Sequence, residues 1–387
     1  MNGQFDPGRR AEHRRENAPR TPQIPKEKQE ETRDTAVSKA EDKKSIFAGY
    51  KPGMNTILAS VLLVLVIMTV VIVAVQSRMK PPSDEGFRDE TADAIILKPE
   101  TEDPFIDKNK NPAYSKYTSQ TEDLVVNSGY GILIDLDTNT VVAAKGGEER
   151  IYPASMTKVM TLIVAMENIK DLDNTTYTFG AELLNELYIQ GASVAGFAVG
   201  ETVSARDLLY GAILPSGGDA TNALAELVAG SEAHFADLMN DKVREMGLEN
   251  THFVTASGLH DDDHYSTCHD IAKILEYAIS NPEMRKILSA YTYTTASTPQ
   301  HPQGITLYST TFQRLSGMSP ENVRILGGKT GYTNEGRHCL CTFSANCRED
   351  ETETVSPQYI LVTAFAAGDE KAPVRDAVNT YNKYSES

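Results

Sequence analysis

The chain has 387 residues, 24% of them charged, with 54 Asp and Glu against 37 Lys and Arg and a net charge of −17 at pH 7. That length allows one sizeable core with appendages, and the acidic balance excludes nucleic acid as a partner, since phosphates repel such a surface. Four cysteines in so long a chain exclude a disulfide-built scaffold.

Residues 1–53 are rich in Glu, Lys, Arg, Gln and Pro with few aromatics, a composition that cannot bury enough apolar surface to fold alone and predicts a disordered tail. From Ile57 to Val75 run 19 residues without a charge and with only Ser60 and Thr69 polar. At about 1.5 Å per residue this run spans a hydrocarbon core of roughly 30 Å, and one transmembrane helix is expected within 54–77. The polar leader is too long for a cleaved signal peptide, and no A-x-A site follows the run. Residues 1–55 hold 12 Lys/Arg and 9 Asp/Glu, a net +3 that leaves −20 for the remainder. Lys39, Lys43, Lys44 and Lys51 precede the span closely, so the positive-inside rule puts the N-terminus in the cytoplasm and the rest outside the cell membrane. Residues 78–116, acidic and carrying Pro81-Pro82, read as an extracytoplasmic stalk.

Residues 117–387 form the folded part. Gly129–Leu136 and Val141–Ala144, separated by Asp137-Thr-Asn-Thr, predict a hairpin. Helices are expected near 155–167, 205–214, 219–246 with a break at Gly230, and 269–280. Strands return near 323–329, 337–345 and 359–367, before a closing helix over 372–384. Strands at both ends with helices between predict an α+β domain, in which an antiparallel sheet joins a helical subdomain and a site lies in the cleft between them. Cys339 and Cys341 alternate about Leu340 and face one side of a strand, compatible with a disulfide to Cys347 or with buried thiols. Cys268-His269 and His338-Cys339 place Cys beside His without a zinc-ribbon spacing, so no metal is expected, and no motif asks for a cofactor.

Three motifs carry chemistry: Ser155-Met156-Thr157-Lys158, Ser216-Gly217-Gly218 and Lys329-Thr330-Gly331. Each is common alone, and Ser77-Arg78-Met79-Lys80 and Ser344-Ala345-Asn346 are stray matches to the first two patterns. Ser155 opens an apolar helix-like stretch just after Pro153, where Lys158 at i+3 shares its face and can reach the hydroxyl. A serine nucleophile with a lysine base needs an amine far below its usual pKa of about 10.4, which burial and the second charge of Lys329 would supply.

The segments around the motifs extend the match. Tyr152–Thr161, Val199–Gly211, Ser257–Thr267 and Gly327–Thr333 resemble the D-alanyl-D-alanine carboxypeptidases, the low-molecular-mass penicillin-binding proteins, and the resemblance runs from about Tyr117 to the C-terminus. It implies a penicillin-binding-protein/β-lactamase-like catalytic domain of the serine transpeptidase type. By resemblance Ser155 is the acylated nucleophile, Lys158 its general base and Ser216 a proton shuttle. Lys329, Thr330 and Gly331 would hold the substrate's terminal carboxylate, and the backbone N–H groups of Ser155 and Tyr332 would form the oxyanion hole. His264 matches a position near the cleft and is read as structural. Gly218 departs from the pattern, since an asparagine usually stands there, with Asn222 one turn on as a substitute.

The implied activity is removal of the terminal D-alanine from peptidoglycan stem peptides through an acyl-enzyme, with β-lactam antibiotics as covalent inhibitors. Transpeptidation and endopeptidation share the first half-reaction. A β-lactamase is disfavoured because no ExxLN segment lies between the second and third motifs: Glu245-Met-Gly-Leu-Glu249 lacks the Asn, and Ala181-Glu-Leu-Leu-Asn185 lacks the Glu. A catalytically weakened wall-binding or scaffolding protein is the alternative that Gly218 raises. Only 56 residues follow Gly331, too few for the further β-rich domain and C-terminal membrane helix of many relatives, so the N-terminal span is expected to provide the attachment.

Overall fold

A computed structural model of the chain describes residues 117–346 and 358–384. The expected tail (1–53), membrane span (54–77) and stalk (78–116) lie outside the described residues, as does Cys347. Among the described residues no helix is long and apolar enough to cross a membrane.

Period-two alternation builds the sheet. In β2 (Tyr130–Asp135) Ile132 and Ile134 enter the larger core while Leu133 enters the smaller one, and in β10 (Tyr359–Ala366) Ile360, Val362 and Ala364 oppose Leu361 in the same way. With β1 (Thr118–Asp123), β3 (Thr140–Lys145), β8 (Val323–Thr333) and β9 (Arg337–Asn346) they form a six-stranded sheet of order β1-β3-β2-β10-β9-β8. The sheet departs from the wholly antiparallel one expected, because β1 pairs with β3 in parallel. The hairpin return β3 inserts between β1 and β2, so the chain that reverses between those two strands meets β3 in the same sense.

Helices cover both faces. On the smaller core lie α8 (Thr310–Leu315) and α9 (Ala372–Tyr384), whose Val374, Ala377 and Tyr381 pack on Leu133, Leu340 and Leu361. The larger core takes α1 (Lys158–Asn168) and α6 (Cys268–Ser280). Every residue from Lys158 to Ala165 is buried, as a helix enclosed on all sides requires. The rest of the helical subdomain comprises α2 (Ala181–Gln190), α3 (Ala205–Ile213), α4 (Gly218–Ala229), α5 (Glu232–Glu245) and α7 (Pro282–Ser289). The predicted break at Gly230 separates α4 from α5, with Gly230 at φ +77° as a left-handed cap.

Sequence patterning did not reveal α2, α7, α8 or the short ribbons β4–β5 (Thr176–Thr178 with Thr202–Ser204) and β6–β7 (Thr292–Thr294 with Thr306–Tyr308). Three residues are too few to display a period. A signal for α7 was present: Asn281 caps it by accepting from Glu283 N and Met284 N at 2.9 and 3.2 Å, with Pro282 in the first turn. Cys268, Cys339 and Cys341 are free, buried thiols, the latter two on one face of β9 as expected.

One carboxylate fastens α9 to the connection that leads into β2. Asp376, 1% exposed, accepts from Asn127 N and Nδ2 at 2.9 and 3.0 Å and from Ser128 N and Oγ at 2.7 and 2.6 Å. Asp376→Ala should strand the buried Ser128 donors and cost about 3 kcal/mol, read as a lower urea midpoint at unchanged m-value; an unaltered midpoint would show that water replaces the clamp.

Candidate active site

The turn that carries Ser155 is set from below by a backbone exchange between Ile151 and Ser266, with N–H···O distances of 2.8 and 3.0 Å. Pro153 starts a 3-10 turn over Ala154–Thr157, and α1 follows at Lys158. Ala154 sits at φ +49°, and Gly258 packs against it: a Cβ on Gly258, itself at φ +80°, would lie 2.0 Å from Ala154 O. Only glycine permits that approach. Ser155 does not cap a helix, since Thr157 holds the N-cap position of α1 and no side-chain cap bond is made. Its hydroxyl is thereby free for chemistry.

Lys158 Nζ lies 2.9 Å from Ser155 Oγ and donates to Ser257 O at 2.6 Å. Lys158 is 2% exposed, and burial pulls its pKa from the ordinary lysine range down to about 7, while the carboxylates of Asp219 and Glu232 act in the opposite direction. The sequence attributed this lowering to burial and to the second charge of Lys329. Burial is the larger cause, and it is the Lys329 amine that is held well below its usual range, first by its own burial and then by Lys158.

Lys329, fully buried on β8, reaches across the cleft and donates to Ser216 Oγ at 2.9 Å and to Thr330 O at 3.0 Å. This bond ties the sheet to the loop between α3 and α4. Ser216 stands there at φ +66°, a left-handed backbone for a residue with a side chain. Thr330 Oγ1 lies 2.8 Å from Thr310 Oγ1 at the start of α8. Gly331 brings the strand against the nucleophile turn: a Cβ there would stand 3.0 Å from Pro153 O and 3.2 Å from Ser155 N. Tyr332 follows with its ring 48% exposed and packed on His338 at 4.6 Å between centroids. The three motifs named from the sequence therefore converge on one cleft.

The space beside Gly218 is tight. A Cβ there would meet Leu187 Cδ2 and Ser193 O at 3.3 Å and Ala192 Cβ at 3.4 Å, and its N–H donates to Ser193 O at 2.7 Å. The segment after α2 is held in that place by Asp219, which accepts from Ala195 N at 2.7 Å and Gly196 N at 3.0 Å. Asn222 Oδ1 is buried without a partner among the described residues, so it does not hold the Lys158 amine.

His264 has a supporting place, as expected. Its Nδ1 accepts from Val254 N at 3.0 Å and Thr255 N at 3.3 Å, so Nε2 carries the proton and donates to Thr157 Oγ1 at 2.8 Å. Burial lowers its pKa to about 4, which keeps the ring neutral under the nucleophile turn. Sequence reasoning missed two contributors. Ser257 acts through its carbonyl, about which side-chain identity is silent, and Thr310 reaches Thr330 from a six-residue helix too short to leave a pattern. Among the described residues no group of three or more His, Cys, Asp or Glu converges as a metal site.

Comparison with known proteins agrees with this geometry. The family model for D-alanyl-D-alanine carboxypeptidase, peptidase S11, matches residues 116–355. The chain is 32% identical over 222 residues to D-alanyl-D-alanine carboxypeptidase DacF of Bacillus subtilis, covering 57% of this chain and 55% of the relative. It is 31% identical over 218 residues to the D-alanyl-D-alanine carboxypeptidase of Streptomyces sp. K15, covering 54% and 74%. The crystal structure of the Streptomyces K15 DD-transpeptidase superposes with a TM-score of 0.57 at 27% identity, over 67% of this chain and 98% of that one. The chain spans about half the length of the Bacillus subtilis and Haemophilus influenzae relatives it matches. With the ordered motifs gathered in one cleft and the family match running through all of them, the chain belongs to the D-alanyl-D-alanine carboxypeptidase family, peptidase S11, and has its α+β penicillin-binding-protein fold.

Proposed function

We propose that the protein is a serine-type D-Ala-D-Ala carboxypeptidase that removes the terminal D-alanine from peptidoglycan stem peptides. The observation that carries this reading is the 2.9 Å approach of Lys158 Nζ to Ser155 Oγ, with the amine buried and its pKa near 7. A neutral Lys158 takes the Ser155 proton as Oγ attacks the penultimate carbonyl. Negative charge then develops on the carbonyl oxygen, where the N–H groups of Ser155 and Tyr332 receive it. The C–N bond breaks as a proton passes through Ser216 to the leaving amine, and water releases the acyl group.

At the other end of the substrate, Lys329 and Thr330 hold the terminal carboxylate. That anion favours the protonated form of the buried Lys329, so the cation forms where it is used. β-Lactams enter by the same acylation and block the site covalently. An amine in place of water would give transpeptidation from the same acyl-enzyme. The filled space beside Gly218 favours a second reading, a wall-binding protein with weakened catalysis, because no side-chain amide at that position can grip the substrate's peptide bond.

Attachment follows from the sequence. The apolar run 57–75 and the lysines before it support a single-pass protein of the cell membrane with its catalytic domain outside.

Three outcomes are expected. Wild type should be labelled by fluorescent penicillin, Ser155→Ala should lose the label, and Lys158→Ala should acylate roughly 10³-fold more slowly; no label on folded wild type would favour the wall-binding reading. The acylation rate should climb as pH rises through about 7, because the protonated Lys158 present at lower pH cannot accept the serine proton; a rate independent of pH between 5 and 9 would exclude Lys158 as the base. Deleting residues 1–77 should release active enzyme into the soluble fraction, and a truncated protein that stayed on membranes would remove the anchor from the account.

A further inference from the structure

Lys158 faces charged or titratable groups from four sides: Asp219 at the start of α4, Glu232 at the start of α5, Lys329 on β8 and His264 below the nucleophile turn. Glu232 is joined to the amine by a continuous chain of bonds. Its Oε1 accepts from Ala256 N at 2.9 Å, and the carbonyl of the next residue, Ser257, accepts from Lys158 Nζ at 2.6 Å. Thr161 Oγ1 on α1 completes the grip by donating to Ala256 O at 2.6 Å. The Ala256–Ser257 segment is thus held through its N–H by α5 and through its C=O by α1.

A neutral amine has two N–H bonds and one lone pair. With one N–H committed to a fixed carbonyl, the rotation of the group is restricted and the lone pair can be aimed at Ser155. We propose that Glu232 is a positioning residue for Lys158: it fixes the Ser257 carbonyl that orients the amine, and its negative charge balances the ammonium formed when Ser155 gives up its proton. This role rests on Ser155 and Lys158 being nucleophile and base.

The electrostatics agree in sign. Glu232 acts to raise the proton affinity of Lys158 against burial, and Lys158 in turn acts to lower that of Glu232. Burial, with Glu186 on α2, pushes the Glu232 carboxyl up, while the N–H of Ala256 acts to lower it. Asp219 spends its hydrogen bonds on Ala195 and Gly196, so the geometric link to Ser257 belongs to Glu232.

The test is the pH profile of acylation by fluorescent penicillin, measured on the full chain as wild type, Glu232→Gln and Glu232→Ala. Glutamine keeps an acceptor for Ala256 N–H and removes the charge. Its rising limb should move to lower pH, with the ratio of rates at pH 6 and pH 8.5 increased about threefold and the maximal rate reduced several-fold. Alanine removes acceptor and charge together and should slow acylation at pH 8.5 by roughly 10- to 100-fold. A Glu232→Gln limb that coincides with wild type overturns the proposal, whatever happens to the melting temperature, because a purely structural role leaves the base's titration in place. Should Glu232→Ala fail to fold, the glutamine profile decides alone. Absence of acylation in folded wild type would overturn the reading of Ser155 and Lys158 instead, and with it this role.

Discussion

Two lysine amines withdrawn from water into one cleft form the constraint on which the rest of the domain depends. A buried ammonium costs several kcal/mol unless acceptors surround it, and here each amine has its acceptors supplied by different parts of the chain. Lys158 is met by the nucleophile turn and by the Ser257 carbonyl, and Lys329 by Ser216 and by its own strand. Sheet, helical subdomain and two loops must therefore converge within hydrogen-bond distance. Gly258 and Gly331 mark this convergence, since a methyl group at either would press on the backbone that carries Ser155.

The same arrangement serves chemistry because it leaves the protons poorly bound. Burial lowers the Lys158 pKa to about 7 and holds Lys329 well below its usual range, and an anion arriving beside Lys329 would favour its charged form. In the proposed mechanism base and clamp thus share one residue type and one environment, and differ in what approaches them. His264, neutral and fully bonded beneath the turn, contributes shape without adding charge.

Much of this was legible in the sequence, and what was not has identifiable causes. The i, i+3 spacing of Ser155 and Lys158 translated directly into a 2.9 Å contact, although through a 3-10 turn joined to a helix rather than one continuous helix. Apolar run patterning located β2, β8, β9 and β10, whose two faces are both buried. It was silent on β1, whose parallel pairing depends on a hairpin inserted between neighbours, and on the Ser257 carbonyl, a backbone atom that any residue could present. Burial was expected to lower the Lys158 pKa and does so; the second charge expected to help, that of Lys329, belongs to an amine that is itself held well below its usual range. Gly218 was visible as a departure, but its reason was not: the segment over 192–197, pinned by Asp219, occupies the volume a larger side chain would need.

Ser216 adds a consequence of a different kind. Its left-handed backbone, φ +66°, costs a residue with a Cβ about 1 kcal/mol that glycine would not incur. Glycine at this position would relieve that backbone cost but would leave the buried Lys329 amine with Thr330 O in place of its two acceptors. The strained backbone of Ser216 is therefore held in place by the same bond that ties the sheet to the loop between α3 and α4.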